Sequence, residues 1–322
     1  MFLIGDIGGT KCELALFGEE LVPSWSTRYQ SADFTCLEDV IEAFLQSVPV
    51  KPRQAGFGLA GVVENGAGRV TNLPWIISED DLSEKFGFEK TILLNDLTAV
   101  CASLPVLPEH ELMELYAGEK GGGVKGVIAP GTGLGEGYLI EQPFFYPRGS
   151  EGGHSNFAPA DEEQIELLKW MRLLVNPVSY EDLIAGPGIS YLYDFYVKYK
   201  GLKPAKQLEE QLLTAKDQTP VILNNAVGNS PCPVCNKVLN LFLSILGSEA
   251  GNLAMKLYAR GGIYLGGGIM VRLAGRIDPA PLIKAYLNKG KMSGLMQKIP
   301  LYLITRKNAA LVGAANYCKQ YF

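Results

Sequence analysis

The sequence is poor in the features that mark export, membrane insertion and nucleic-acid binding. Its 322 residues carry 29 Lys and Arg against 34 Asp and Glu, a net charge of −5, whereas binding to a phosphate backbone needs a basic face. No uninterrupted apolar run approaches the length of a membrane span. The N-terminus has no basic region or cleavage site before its first apolar strand. We therefore expect a cytoplasmic protein with no nucleic-acid or membrane partner.

Metal-binding and redox patterns are also scarce. The chain has two histidines and six cysteines, and only Cys232 and Cys235 form a C-x-x-C pair. A structural zinc site needs four ligands, but no second pair or nearby histidine accompanies these two. Redox activity is the alternative, although the βαβ pattern typical of it is missing. We expect a reduced structural pair.

The usual phosphate-binding signatures are missing as well. No G-x-x-x-x-G-K-S/T P-loop occurs, and the G-x-G-x-x-G pattern at 121–126 precedes a strand instead of following one, so it predicts a loop. Instead, residues 2–17 and 127–140 share one layout: a short apolar strand, a Gly/Thr turn and a second strand. Such a turn alone could be ordinary. Two of matching layout favour a duplicated architecture that holds phosphates on bare backbone N–H groups.

Strands and helices alternate along the rest of the chain, which predicts an α/β sheet with helices on its faces. Leu37, Val40, Ile41 and Phe44 form the apolar stripe of an early helix. The polar segment 105–123 resembles a domain junction. Beyond it the pattern predicts a second α/β unit, with a long helix over 236–260 and a terminal helix over 308–319.

Further polar motifs follow in a fixed order and carry a family resemblance. They are Asn95-Asp96 at a strand end, Glu151-Gly-Gly-His154, Glu181 before Gly-Pro-Gly, and Gly266-Gly-Gly. Together with the two hairpins they make the chain resemble the bacterial glucokinase family along its whole length. The resemblance implies a two-lobed, duplicated actin-like ATPase (ribonuclease H-like) fold with the active site in the cleft between the lobes. The implied domains are 1–106 plus 306–322 and 107–305, in a homodimer.

The same resemblance implies a role for each motif. Asp96 matches the catalytic base, which would take the proton of a sugar hydroxyl as it attacks. The substrate-binding set, whose side chains can satisfy a ring of hydroxyls, comprises Thr71, Asn72, Asn95, Asp96, Glu151, His154 and Glu181, with Trp75 beside the first two. The ATP-binding set comprises Asp6, Gly8, Gly9, Thr10, Lys11, Gly131, Thr132, Gly133, Gly266, Gly267 and Gly268. Asp6 would hold Mg²⁺ through water.

The implied activity is that of a glucokinase, which transfers the γ-phosphoryl group of ATP to the 6-hydroxyl of D-glucose at the entry to glycolysis. Two alternatives remain: a kinase of another hexose or hexosamine, and a non-catalytic sugar-sensing protein of the same fold. Lys11 and Gly61 depart from the residues common in close members, asparagine and proline. The cysteine-rich zinc cluster of the wider sugar-kinase family is absent, which favours the zinc-free branch.

Overall fold

The computed structural model describes residues 1–119, 121–228 and 230–322, which divide into two compact units. Unit 1 comprises Met1–Glu111, Gly137–Gly149 and Arg306–Phe322, and unit 2 comprises Leu112–Glu136 and Ser150–Thr305. Each unit mixes strands and helices and has buried apolar residues of its own.

The strands are, in chain order, β1 Phe2–Ile7, β2 Lys11–Phe17, β3 Pro23–Gln30, β4 Gln54–Leu59, β5 Gly61–Glu64, β6 Ala67–Val70, β7 Ile76–Ser78, β8 Lys90–Asn95, β9 Leu112–Tyr116, β10 Lys125–Pro130, β11 Leu134–Ile140, β12 Tyr146–Ser150, β13 Ile263–Leu265 and β14 Leu301–Ile304. The α-helices are α1 Leu37–Ser47, α2 Glu79–Phe86, α3 Asp96–Ser103, α4 Glu162–Met171, α5 Glu181–Ile184, α6 Gly186–Asp194, α7 Lys206–Thr214, α8 Gln218–Ala226, α9 Pro233–Leu257, α10 Gly267–Leu273, α11 Ala280–Leu287, α12 Ser293–Met296 and α13 Ala309–Tyr321.

The main sheet of unit 1 has the strand order β3-β2-β1-β4-β8. β1 and β2 are antiparallel, whereas β1, β4 and β8 run parallel, with Ile7 level with Leu59 and Leu59 level with Asn95. The carboxyl ends of these three strands therefore meet at one edge of the sheet, where open α/β sheets place their ligands. A smaller sheet, β5-β6-β7, follows β4 in the chain.

The second sheet has the order β12-β11-β10-β13-β14-β9. β10, β13 and β14 are parallel, and each is short and apolar, as expected of strands covered on both faces. β10 and β13 each end at a glycine-containing turn. This sheet therefore repeats the arrangement of unit 1, with glycines beyond the carboxyl ends of parallel strands.

Helix α9 is the central helix of unit 2. By length and composition it is the one helix among the described residues that could cross a membrane, with a mean hydropathy of 1.3. However, 78% of that window is buried inside the protein, and its apolar side chains contact those of the neighbouring helices. Burial of this kind is typical of a core helix.

Helices α3 and α13 of unit 1 pack very closely where Gly313 meets the backbone of Ala99. A methyl group at Gly313 would lie 1.7 Å from the Ala99 carbonyl oxygen and 2.7 Å from the Ser103 nitrogen. Asn316, one turn later, donates a hydrogen bond to the Ala102 carbonyl at 2.8 Å. Helix α13 therefore packs against the C-terminal half of α3, the helix that begins with Asp96.

We expect Gly313→Ala to lower the free energy of unfolding by about 1–2 kcal/mol, because the overpacking cost exceeds the gain in helix propensity. Thermal unfolding followed by circular dichroism measures the change. Gly294→Ala in α12 is the matched control, since a methyl group there meets no atom within 4 Å. Equal melting temperatures for the two variants would contradict the close helix contact.

Candidate functional site

The first glycine turn connects β1 to β2 at the ligand-side edge of unit 1. Gly8 N–H donates to the Lys11 carbonyl at 3.0 Å, which closes the turn, while Thr10 and Lys11 are exposed. A methyl group at Gly9 would lie 2.8 Å from the Thr71 carbonyl oxygen. The turn therefore needs glycine at this position, and it lies directly against the loop that carries Thr71 and Asn72.

The Thr71–Asn72 loop is fixed by backbone contacts. Thr71 N–H donates to Ala60 O at 2.8 Å, and Ala60 N–H donates to Ile7 O at 2.9 Å. Asn72 adopts a left-handed conformation with φ 64°, which asparagine tolerates better than most residues. Thr71 and Asn72 are exposed, and Trp75 is buried at 3% exposure in the core of unit 1. Trp75 therefore anchors the loop, and the two exposed side chains are accessible to a ligand.

Asp6 occupies an unusually negative environment. It lies opposite Glu13 in the β1–β2 register. Burial, then Asp96 and Glu13, raise the pKa of the Asp6 carboxyl, Arg28 partly offsets them, and the net value is about 7. Arg28 hydrogen-bonds Glu13 through its Nε at 3.0 Å. A bound cation would relieve the remaining repulsion between Asp6 and Asp96.

The carboxylates of unit 1 fit a magnesium ion that is held only partly by protein. Among the described residues, no group of three or more His, Cys, Asp or Glu side chains is arranged to bind a metal ion. Mg²⁺ commonly uses one or two carboxylates and takes its other ligands from water and substrate phosphates. The predicted binding of Mg²⁺ by Asp6 through water is compatible with this donor set.

Asn95 and Asp96 form the junction between β8 and α3. The Asn95 Oδ1 caps the helix by accepting from Leu97 N–H at 3.0 Å and Thr98 N–H at 3.2 Å. Its Nδ2 donates to Gly61 O at 3.1 Å, and the amide has a second N–H to offer. The Asp96 Oδ1 accepts from Leu97 N–H at 2.8 Å. Asp96 thus lies in the first turn of α3, where helix N-termini favour negative charge.

The second glycine turn connects β10 to β11 in unit 2. Gly131 N–H donates to Gly133 O at 2.8 Å, and Gly186 N–H donates to Gly131 O at 2.8 Å. Thr132 at the tip is exposed. The conformation of the turn is therefore fixed by a hydrogen bond between its own backbone groups and by a second one from Gly186, the first residue of α6.

The third glycine segment lies beside this turn. Gly266 N–H donates to Ile128 O at 2.9 Å, and Gly267 has φ 78°. A methyl group at Gly267 would lie 2.2 Å from Pro130 O, whereas one at Gly268 would meet nothing within 4 Å. Both segments thus expose backbone at the carboxyl ends of neighbouring parallel strands, as a nucleotide site requires.

Glu151, His154 and Glu181 come together in unit 2. The His154 Nε2 lies 3.8 Å from Glu151 Oε2, and its Nδ1 lies 3.7 Å from Glu181 Oε1. A short 3₁₀ turn, Gly152–His154, brings Glu151 and His154 to one side. Glu151 and His154 are exposed and Glu181 is 32% exposed at its side chain. Three polar side chains therefore converge in one cluster.

Glu181 also connects this cluster to the second glycine turn. Its Oε2 accepts from Leu134 N–H at 2.8 Å, and a methyl group at Gly133 would lie 2.6 Å from the same oxygen. Ser179 and Asp182 form a reciprocal capping box around the start of α5, with Ser179 N–H to Asp182 Oδ2 at 2.8 Å and Asp182 N–H to Ser179 Oγ at 3.3 Å. The bond from Leu134 thus fixes the carboxylate of Glu181, and the capping box fixes the backbone that carries it.

Three residues of the site were missed in the sequence. Glu13 neighbours Asp6 across the hairpin, Gly186 contacts Gly131, and Glu136 is buried beneath the Glu151–His154 turn. The polar–apolar alternation of Lys11-Cys12-Glu13-Leu14 is a signal that could have identified Glu13 as a polar residue on the ligand side. No comparable pattern identifies Glu136. Cys232 and Cys235, at the start of α9, are free thiols.

The comparisons with known proteins agree along the whole chain. A family model described as Glucokinase matches residues 3–321. A glucokinase of Colwellia psychrerythraea is 33% identical over 324 residues, which cover 99% of this chain and 96% of that protein. A glucokinase of Caulobacter vibrioides is 36% identical over 323 residues, with coverage of 97% and 93%.

Solved structures give the same result for the fold. A glucokinase from an Antarctic psychrotroph superposes with a TM-score of 0.83 at 30% identity, covering 99% of this chain and 98% of that one. A Balamuthia mandrillaris glucokinase in complex with glucose gives 0.78 at 22% identity, with coverage of 99% and 93%. A ROK family glucokinase from Streptomyces griseus in complex with glucose and AMPPNP gives 0.65 at 17% identity, with 99% of each chain covered. The predicted α/β fold of the actin-like ATPase type is confirmed.

Proposed function

We propose that this chain, which belongs to the glucokinase family, transfers the γ-phosphoryl group of ATP to the 6-hydroxyl group of D-glucose. The family membership confirms the prediction made from the sequence, and the chain is an ATP-dependent hexose kinase. One observation carries the assignment of residues. The carboxylate of Glu181, in the sugar-ligand set, is bonded to Leu134 and lies against Gly133 of the proposed phosphate turn.

Asp96 is the proposed catalytic base. Phosphoryl transfer needs little covalent help from a protein, so positioning and charge neutralisation dominate. The attacking hydroxyl nevertheless loses a proton, which a carboxylate within hydrogen-bond reach can accept. One oxygen of Asp96 is occupied by Leu97 N–H. That bond orients the carboxylate at the start of α3.

The sugar ring would be recognised by complementary hydrogen bonds. Carboxylates only accept, hydroxyl groups both donate and accept, and a neutral imidazole does one at each nitrogen. Glu151 and Glu181 would therefore accept hydrogen bonds from ring hydroxyls, and His154 between them would orient a third. Thr71, Asn72 and the second N–H of Asn95 would complete the set. A hexose lacking one of these hydroxyls would leave a site group unpaired, which costs binding energy.

The nucleotide phosphates would be held by backbone N–H groups of the Gly8–Lys11 and Gly131–Gly133 turns other than those of Gly8 and Gly131, which bond within their own turns. The adenosine end would be held by Gly266–Gly268. Mg²⁺ supplies neutralisation of phosphate charge when bound. Asp6 would hold the ion's water ligands, since it already lies beside Asp96 and Glu13. The solved Streptomyces complex with AMPPNP and glucose supports this pair of substrates.

We extend the proposal to the cellular setting: a cytoplasmic homodimer that acts at the entry to glycolysis. The net charge of −5 and the absence of a basic excess support an enzyme of small molecules. Within the same class, a preference for another hexose or for a hexosamine is the second candidate, because the ligand set of carboxylates, amides and imidazole is not unique to glucose.

An assay of ADP release across glucose, mannose, fructose and glucosamine tests the function. We expect the highest kcat/KM with glucose, and ATP as an effective donor. Removal of magnesium should abolish turnover, and its re-addition should restore it. A higher kcat/KM with another sugar would replace glucose by that sugar, and failure to phosphorylate any hexose would overturn the proposal.

A further inference from the structure

Glu136 is a buried acidic residue on β11 that the proposed reaction does not use. It lies two residues after Leu134, on the same face of the strand, and only 2% of its surface is exposed. Among the described residues, its Oε1 is the one buried side-chain polar atom without a hydrogen-bond partner. A buried polar group without a partner is costly, so Glu136 calls for a physical explanation.

The Glu151–His154 turn rests directly on this carboxyl group. A methyl group at Gly152 would lie 2.1 Å from Glu136 Oε2, and one at Gly153 would lie 2.1 Å from Leu134 O. Ser150 Oγ donates to Glu136 O at 3.4 Å, and Gly152 N–H donates to Ser150 Oγ at 3.3 Å. The two glycines between the sugar ligands therefore permit a close approach of the turn to β11.

The charges around Glu136 come from three elements. Helix α9 contributes Glu249, which is fully buried and pairs with Lys256 at 3.3 Å. The turn above contributes Glu151 and His154, and the segment before α5 contributes Tyr180, which accepts a hydrogen bond from Asn252 at 3.0 Å, followed by Glu181. Burial first and Glu249 second raise the pKa of Glu136, Lys256 partly offsets them, and the net value is about 7. Near neutral pH, the uncharged form of Glu136 is thus populated.

We propose that Glu136 is a positioning residue for hexose binding: its carboxyl group supports the Glu151–His154 turn from below, and its uncharged form holds the turn in the sugar-binding geometry. Loss of the proton would place a negative charge in a buried position near the fully buried carboxylate of Glu249. The turn would then move away from β11, and Glu151 and His154 with it. This inference rests on the proposed sugar-binding role of those two residues.

A double-mutant cycle tests the support. We expect Glu136→Ala to raise the KM for glucose about 10-fold, with kcat and the KM for ATP nearly unchanged, because the loss falls on ground-state sugar binding. Gly152→Ala should have a similar effect in the wild-type background. In the Glu136→Ala background it should add little, because the atom that its methyl group meets has gone. Fully additive effects would overturn the proposal.

Glu136→Gln tests the role of the proton and keeps the side-chain shape if the alanine variant fails to fold. We expect the KM for glucose of wild type to rise severalfold from pH 6 to pH 8, and that of Glu136→Gln to stay near the lower value. His154 is present in both enzymes, so any contribution of His154 to the pH dependence of the KM for glucose is common to them. Glu210→Gln, at an exposed position of α7, should follow wild type. Identical pH profiles for wild type and Glu136→Gln would overturn the role of the proton.

Stability supplies an independent readout. The folded-state pKa of Glu136, about 7, lies above the ordinary glutamate value of 4.5. The folded state therefore binds more protons between these values and loses stability as pH rises through that window. Glu136→Gln should therefore melt higher than wild type at pH 8 and about equally at pH 4.5. Wild type that phosphorylates no hexose would instead refute the proposed function, whereas an active wild type with unaltered variants refutes only the role of Glu136.

Discussion

Asp96→Asn is expected to lower kcat by about 10²–10⁴-fold while glucose binding is largely kept. Asparagine has nearly the same shape as aspartate, and its carbonyl oxygen can still accept from Leu97 N–H, the bond that orients Asp96 at 2.8 Å. The amide cannot take the proton of the attacking hydroxyl. The variant should therefore bind sugar and nucleotide in calorimetry yet turn over slowly in the ADP-release assay.

Asp80→Asn is the matched control for Asp96→Asn. Asp80 also lies in the first turn of a helix of unit 1, α2, but its side chain is exposed. Both substitutions remove one negative charge from a helix N-terminus, so both lose a similar helix-dipole interaction. Only Asp96→Asn should lose turnover. A near-wild-type kcat for Asp96→Asn would show that Asp96 is not the catalytic base.

Local patterns in the sequence predicted much of the fold because they act over a few residues. The strand–glycine–strand layout predicted both hairpins, and Asp161 caps α4 by accepting from Gln164 N–H at 2.9 Å. Ser179 and Asp182, three residues apart, form a capping box before α5. Asn95 proved to be a helix cap as well as a candidate sugar ligand, because one side chain at a strand end can do both.

Other features depend on contacts between distant segments and left no local signal. The short helix α5 ends at Ile184, just before Gly186-Pro187, but a further helix, α6, begins at Gly186 with proline in its first turn. Glu136 follows a glycine turn, and the sequence predicts only a polar strand residue at this position. Its burial is set by the Gly152 turn, which is distant in the sequence. The roles of the predicted site residues in catalysis and binding stay predictions until the variants are measured.

Glu181→Ala is expected to weaken glucose binding by about 1–3 kcal/mol, or roughly 5- to 150-fold in Kd, because a buried hydrogen-bond partner is lost. The substitution removes the acceptor of two hydrogen-bond donors, the sugar hydroxyl and Leu134 N–H. In the wild-type chain Leu134 N–H donates to Glu181 Oε2 at 2.8 Å. Glu181→Gln keeps an acceptor oxygen for Leu134 and should lose less. Calorimetric titration with glucose measures both variants.

The specificity of this effect separates a sugar ligand from a structural residue. Glu210→Ala removes an exposed glutamate from α7 of the same unit and should leave both affinities unchanged. Glu181→Ala should bind a non-hydrolysable ATP analogue with nearly wild-type affinity, because the Gly131–Gly133 turn keeps its own bonds to Gly133 and Gly186. Equal losses for glucose and the analogue would mean that Glu181 maintains the glycine turn through Leu134, and that its carboxylate is not a sugar ligand.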